Sequence, residues 1–200
     1  MNDSFHTITS NVSGIIFKDK GSKFYGYAFP MSYTNELKKY INTLKSEHPQ
    51  AGHFCFAYIL GKEKDTFRYS DDGEPGNSAG FPIYGQLLSY NLTNILVVVV
   101  RYFGGTKLGV SGLKNAYKTT AMLTLEEANT FIQFEKVKYR LTFSYDIMNV
   151  VMRTIKELDL KLENQQQTTH CVFEVSTRAS NAEKTQDRLS QIFKLEIKNL

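Results

Sequence analysis

The sequence has no tryptophan, only two cysteines and four prolines, and no hydrophobic run of membrane-spanning length. The cysteines, Cys55 and Cys171, lie far apart in strand-like segments. We therefore expect two buried free thiols rather than a disulfide framework. No apolar run approaches the ~20 residues that a membrane helix needs, and the N-terminus has no run of signal-peptide length. These absences predict a cytoplasmic protein without membrane association.

The composition that remains is that of an ordinary globular protein. Of the 200 residues, 42% are hydrophobic and 22% are charged, and the formal net charge is +4. This length allows one large or two small domains. The mild positive charge is compatible with RNA binding without requiring it, because dedicated nucleic-acid binders show a sharper, clustered excess of cations.

Glycine is concentrated between residues 71 and 112, which hold eight of the thirteen glycines. Such density indicates backbone with positive φ or in close approach to a neighbour. The β-branched run 95–100 inside this segment predicts a buried strand. At the C-terminal end of that strand lie Arg101 and a glycine-rich loop, residues 104–109. We expect this loop and the acidic loop 71–80 to meet at one end of a sheet.

Periodicity predicts an α+β protein with a boundary near residues 129–132, which gives domains 1–130 and 131–200. The first domain is predicted to have strands at 12–18, 23–29, 54–60, 66–69 and 94–102 and helices at 34–49, 78–88 and 111–129. The last helix has a predicted buried face of Leu113, Ala116, Tyr117, Thr120 and Leu123. From residue 134 onward the order is β-α-β-β-α-β, which is the ferredoxin-like unit.

The acidic loop carries three carboxylates, Asp71, Asp72 and Glu74. They could hold a hard cation or act as an acid/base pair. Alternatively, the aspartates could bond backbone N–H groups in an Asx-type turn. A third interpretation, which we prefer, is that the carboxylates order the loop through an ion pair with Arg101 or Lys107.

The glycine-rich loop precedes a helix, so its free N–H groups and Lys107 could bind an anion. Gly104 and Gly109 have the glycine spacing of a P-loop, but Val110 stands where that motif requires lysine. Two interpretations stay open: a phosphate or RNA-backbone contact through Gly104 and Gly105, or a purely structural turn.

Four cations near this loop could form a basic patch: Arg101, Lys107, Lys114 and Lys118. Lys114 and Lys118 lie one helical turn apart and share a face. Tyr102 and Phe103 could add base stacking, although we expect Phe103 to belong to the core. His53 and Cys55 share a strand face, and a buried pair is favoured over a catalytic one. The sequence therefore predicts no catalytic residue, no cofactor and no metal ligand.

Several segments together resemble the YigZ/IMPACT family. They are DDGEPG at residues 71–76, AG at 79–80 with Pro82, VVVRYFGGTKLG at 98–109, GL at 112–113 and AY at 116–117. The chain departs from the family pattern at Ser78, Phe81, Ser111 and Asn115, where the family has threonine, arginine, glycine and arginine. Phe81 and Asn115 thus each remove a cation from the predicted basic surface.

The resemblance implies a link to translational control, which is known for the eukaryotic members. It also implies a first domain similar to the second domain of a small-subunit ribosomal protein and to domain IV of elongation factor G. The second domain would be similar to domain V of that factor. This pairing implies an RNA or ribosome surface by analogy of fold.

Together these features predict a non-enzymatic protein that binds RNA, the ribosome or a translation-associated partner, without reading a DNA sequence. Arg101, Lys107, Lys114 and Lys118 would contact phosphates. One alternative is a protein-interaction regulator with Tyr102 or Tyr117 as its anchor. Another is a Mg²⁺-dependent enzyme that holds a phosphorylated substrate at the carboxylate loop.

Overall fold

The computed structural model describes residues 3–200, which fall into two compact units. Phe5–Gln133 forms the first unit, and Phe134–Leu200 forms the second together with Asp3 and Ser4. The strands are β1 (Ser4–Ile8), β2 (Val12–Asp19), β3 (Ser22–Pro30), β4 (His53–Leu60), β5 (Thr66–Ser70), β6 (Ile95–Tyr102), β7 (Thr130–Phe134), β8 (Lys136–Phe143), β9 (Lys161–Gln167), β10 (Cys171–Arg178) and β11 (Glu196–Asn199). The α-helices are α1 (Leu37–Glu47), α2 (Gly80–Ser89), α3 (Gly109–Glu126), α4 (Met148–Glu157) and α5 (Ala182–Ser190).

The first unit is built on a five-stranded antiparallel sheet in the order β2-β3-β6-β4-β5. Strand β6 is central, as predicted, and Ile95–Val100 is buried throughout. Because successive side chains point to opposite faces, Val97 and Val99 pack with α2 and α3, whereas Val98 and Val100 pack with α1. The continuous apolar run is therefore explained by helices on both faces of the sheet.

Helix α3 lies against β2 and β3. Its predicted buried face is confirmed at four positions, whereas Leu123 is only partly buried and Thr124 and Leu125 are buried instead. Thr124 of α3 packs directly against Gly26 of β3, where an added Cβ would lie 1.9 Å from the threonine hydroxyl. Glycine is required in β3 at this point because the helix leaves no space for a side chain.

The second unit has a four-stranded antiparallel sheet in the order β11-β8-β10-β9. Its core joins the sheet residues Leu141 and Phe173 to Val151 and Ile155 of α4 and Leu189 of α5. The order of elements from β8 to β11 is the predicted β-α-β-β-α-β order, and the mixed α/β class of the whole chain is confirmed.

One feature of the fold was not predicted: β1 and β7 form a two-stranded sheet. The predicted boundary at residues 130–131 falls inside β7, so the two predicted domains remain a prediction. None of the helices within residues 3–200 is both long and apolar enough to cross a lipid bilayer.

Candidate functional site

The acidic loop is ordered first by Asp71, which closes the N-terminus of α2. One carboxylate oxygen accepts hydrogen bonds from the N–H groups of Ala79 and Gly80, both at 2.9 Å, and the other accepts one from Asn77 at 2.8 Å. The first N–H groups of a helix have no partner inside the helix. Asp71 therefore acts as a cap placed eight to nine residues upstream. Ser78 instead donates its hydroxyl to the Pro75 carbonyl at 2.6 Å.

Asp72 attaches the same loop to strand β4. Its carboxylate accepts the Phe54 N–H at 2.7 Å, and its carbonyl lies 2.8 Å from Nδ1 of His53. The backbone of Asp72 and Gly73 has positive φ, +41° and +87°. Both aspartates thus accept backbone N–H groups, but those bonded by Asp71 lie six to nine residues further on and that bonded by Asp72 lies on β4, beyond the range of a local Asx-type turn.

Glu74 forms the predicted ion pair, with Arg101 rather than Lys107 as its partner. Nη1 of Arg101 lies 2.6 Å from Oε1 of Glu74, and the two side chains are only 6% and 4% exposed. The same oxygen accepts the Tyr117 hydroxyl at 2.8 Å. A buried charge pair with an additional hydrogen bond ties the acidic loop to the end of β6 and to α3.

Arg101 is therefore a clamp inside the first unit. Its guanidinium packs between the rings of Phe24 and Phe103, with 5.5 and 5.6 Å to the ring centroids. Nη2 lies 3.5 Å from the Ser22 hydroxyl, and Nε has no hydrogen-bond partner within residues 3–200. A phosphate contact by Arg101 remains a prediction, and it would require the guanidinium to leave Glu74.

Cys55 is a buried structural thiol, as predicted. Its Sγ lies 3.0 Å from the Asp71 carbonyl oxygen and 3.3 Å from the Tyr117 hydroxyl, and its single S–H can donate to one of these two oxygens at a time. Burial raises the pKa of Cys55 far above its ordinary value, and burial likewise raises the pKa of Tyr117. Because a nucleophilic cysteine needs accessible thiolate, this geometry disfavours a catalytic role for Cys55. The expected buried pair with His53 is not formed among the described residues, since His53 is only partly buried and contacts the Asp72 carbonyl. Cys171 is also a buried free thiol.

The carboxylates of the acidic loop are occupied by N–H and guanidinium donors. Within residues 3–200, no group of three His, Cys, Asp or Glu side chains is placed to hold a metal ion. The geometry therefore gives no support to the Mg²⁺-dependent enzyme.

Two aromatic predictions at this site were wrong. Tyr117 is fully buried, so it cannot anchor a partner, and Phe103 is 58% exposed rather than part of the core. Tyr102 is partly buried, with its hydroxyl 2.9 Å from Nδ1 of His48. Burial along β6 thus ends at Arg101, since Tyr102 is partly buried and Phe103 is exposed.

Gly104 has a clear structural role. An added Cβ would lie 1.8 Å from the Gly21 carbonyl carbon and 2.1 Å from the Ser22 nitrogen, so the loop packs directly on the β2–β3 turn. Its N–H donates to the Ser22 hydroxyl at 3.2 Å. Gly105 has φ of +87° with open space around it. Anion binding by this loop remains a prediction, and Lys107 within it is exposed.

A surface with exposed lysines lies on α3 beside α2. Lys114 and Lys118 are exposed and line a groove of about 440 Å³ between the two helices. Phe81 and Asn115, the two departures from the family pattern that each remove a cation, line the same groove. The structure thus brings these four residues together, away from the buried Arg101.

The sequence contains a charge pattern that indicates this surface, although none of its motifs does. Residues 75–125 contain no Asp or Glu, yet they contain Arg101, Lys107, Lys114 and Lys118. Glu74 neutralises Arg101, which leaves the three lysines without an acidic neighbour in this stretch. A count of charges within this stretch indicates the surface, whereas the net charge of +4 for the whole chain does not.

Comparison with known proteins extends these observations over the whole chain. A family model described as the Impact N-terminal domain matches residues 20–125. An "IMPACT family member" of Haemophilus influenzae is 30% identical over 176 residues, covering 85% of both chains. "IMPACT family member YigZ" of Escherichia coli is 30% identical over 155 residues, covering 76% of both. A solved structure described as that of a hypothetical protein covers 100% of this chain and 98% of its own, with a TM-score of 0.77 and 25% identity.

Proposed function

Because this chain belongs to the IMPACT family, we propose that it is a non-enzymatic, translation-associated binding protein that contacts RNA of the ribosome. Family membership is consistent with a regulatory role in translation. Lys107, Lys114 and Lys118 would contact the phosphates, while Glu74 and Arg101 would hold the neighbouring loops in place.

The observation that carries this proposal is the stretch of residues 75–125, which contains cations and no acids. It places Lys114 and Lys118 in one groove, where no carboxylate lines the wall. Lysines that neutralise phosphates release bound counterions, and this release supplies most of the sequence-independent affinity for a nucleic acid. Such a surface suits RNA backbone better than it suits a sequence-reading DNA contact.

The fold supports the proposal more weakly. We assign the second unit to the ferredoxin-like class, because its strand order β11-β8-β10-β9 is antiparallel and its elements follow β-α-β-β-α-β. We further propose that the first unit corresponds to domain IV of elongation factor G and the second to domain V, that the two are separate domains, and that the protein is cytoplasmic. Similar folds alone do not establish a shared function.

The test is binding to purified ribosomal subunits and to a mixed RNA pool at two salt concentrations. Lys114→Gln/Lys118→Gln should weaken binding and reduce the slope of log K against log salt by about 0.7–0.9 for each lost phosphate contact. The matched control is Lys38→Gln/Lys39→Gln, which removes the same charge from exposed positions of α1, on the opposite face of the sheet. Binding that ignores salt, or equal losses in both variants, would refute the phosphate contact.

A second candidate is a regulator that binds a protein partner without RNA. The exposed ring of Phe103 favours it, because the ring stands beside the ordered loops at the end of β6. A defined partner that is retained after RNase treatment and released by Phe103→Ala would support this candidate. Loss of every partner under RNase would exclude it.

A further inference from the structure

We infer that β5 and α2 form a stacking surface for unpaired bases of single-stranded RNA, whose phosphates are held by Lys114 and Lys118. This inference rests on the proposed function and names its ligand class. The surface consists of an aromatic row, Phe67, Tyr84, Tyr69 and Phe81, and of the groove between α2 and α3.

The aromatic row is continuous across the two elements. The ring centroids of Phe67 and Tyr84 lie 4.9 Å apart with planes inclined by 24°, and Tyr69 lies 5.7 Å from Tyr84. Phe81 lies 5.7 Å from Tyr69 at 69°. The outer rings, Phe67 and Phe81, are 48% and 51% exposed, whereas the inner tyrosines pack on the core. The inner rings therefore hold the outer ones in fixed orientations with free faces.

This arrangement follows from the periods of the two elements. Phe67 and Tyr69 alternate onto one face of β5, which is an edge strand of the sheet. Phe81 and Tyr84 lie three residues apart on α2 and so share one side of that helix. Single exposed apolar residues are normal on protein surfaces. A row of four rings ending at a cationic groove is a more specific arrangement, and it is the combination used to bind single strands.

Phe81 joins the row to the groove. The groove is lined by Phe81, Pro82, Gly85 and Gln86 from α2 and by Lys114, Asn115 and Lys118 from α3. None of these residues is acidic, and α2 contains no charged residue at all. The amides of Gln86 and Asn115 can both donate and accept hydrogen bonds, which suits the edges of exposed bases. The groove therefore offers cations, amides and one ring face at the same place.

The chemistry favours a single strand over a duplex or a peptide. In an RNA duplex the base faces are stacked on one another, so Phe67 and Phe81 would have nothing to contact. A duplex would use only the lysines, through its phosphates. An acidic peptide could pair with the lysines and bond the amides through its backbone, but its acidic side chains have no flat faces to stack on the rings. Unpaired nucleotides use all three features together.

The experiment measures binding of the full-length protein to a fluorescent single-stranded RNA of about ten nucleotides and to the same sequence as a duplex. Phe81→Ala should weaken single-strand binding at least about fivefold, since stacking on one aromatic ring contributes that much or more. Duplex binding should change less than about twofold. Phe81→Tyr keeps a ring and should restore the affinity. Phe81 is half exposed, so the variants should fold, and circular dichroism checks that they do.

The matched control is Tyr33→Ala, which removes another exposed ring of the same unit, just before α1 and away from this row. It should leave single-strand binding within about twofold of the wild type. Equal effects of Phe81→Ala and Tyr33→Ala, or equal effects on single strand and duplex, would overturn the inference.

The same assay separates the inference from the proposed function. Ribosome binding that depends on Lys114 and Lys118 but not on Phe81 would keep the proposed function and overturn the stacking surface. If the folded wild type bound neither RNA form nor the ribosomal subunits, both the proposed function and the inference would be refuted. Capture of a protein partner through Phe67 and Phe81, without RNA affinity, would also overturn the inference.

Discussion

At the scale of single residues, Glu74 connects the acidic loop to β6 and α3. One of its oxygens receives both the Arg101 guanidinium and the Tyr117 hydroxyl inside a nearly dry environment. Breaking a buried pair is costly because it leaves an uncompensated charge behind. Arg101 is thereby committed to stability, and the exposed lysines remain available for a ligand.

Glu74→Gln tests this role. It should lower the free energy of unfolding by about 3–5 kcal/mol, because the Arg101 charge would stay buried without its partner. Urea unfolding followed by circular dichroism measures the change. The control is Glu157→Gln, which breaks the largely exposed pairs with Arg153 and Arg188 and should cost less than about 1 kcal/mol. Similar losses of unfolding free energy in both variants would contradict the stabilising role of the Glu74–Arg101 pair.

At the scale of elements, the acidic loop stabilises the first residues of helix α2. Ala79 occupies the N-cap position and has no side-chain acceptor of its own. Asp71 supplies the missing acceptor from the far side of the loop. The loop and the helix therefore form one cooperative structure, and the orientation of Phe81 and Tyr84 on α2 depends on it.

Asp71→Ala should lower the free energy of unfolding by about 2 kcal/mol, the upper end for loss of a helix cap, because three N–H groups lose their acceptor. Amide hydrogen exchange should become faster at Asn77, Ala79 and Gly80. Asp65→Ala removes an exposed carboxylate from the turn before β5 and should change stability by less than about 0.5 kcal/mol. Unchanged exchange at Ala79 and Gly80 would show that the cap is dispensable.

At the scale of the whole molecule, Asp3 joins the second unit through residues far along the chain. It accepts two hydrogen bonds from Arg178, at 2.7 and 3.2 Å, and one from the Ser180 N–H at 3.1 Å. The Arg178 guanidinium lies over the Phe134 ring at 3.6 Å from its centroid. Asp3 and Ser4 therefore belong to the second unit, although Phe5–Gln133 belongs to the first.

This contact predicts a dependence of stability on pH. The hydrogen bond from Arg178 holds the pKa of Asp3 well below its usual range. The stabilisation is therefore present above the unfolded pKa of about 3.9 and is lost as the pH falls below it. Chemical unfolding of wild type and Asp3→Asn should differ most at neutral pH, and the difference should shrink below about pH 4. Asp187→Asn controls for the loss of an exposed carboxylate, and a difference that persists in acid would contradict the prediction.

The sequence by itself determined the local structure and the family. The run 95–100 identified the central strand, the spacing in α3 identified most of its buried face, and the DDGEPG and GGTKLG segments identified the relatives. It also indicated that the acidic loop would pair with Arg101 or Lys107. The strand and the helix face depend on neighbours within a few residues, so periodicity records them. The pairing joins residues 27 positions apart, and it was inferred from the expectation that both loops lie at one end of the sheet.

Only the tertiary structure decided which side chains are accessible and which distant residues meet. It buried Tyr117 and exposed Phe103, joined β1 to β7, and paired Asp3 with Arg178 across 175 positions. It also brought Phe81 of α2 next to Lys114 and Lys118 of α3. A sequence pattern shows which face of an element is apolar, but the partner of that face is set by packing between segments far apart in the chain.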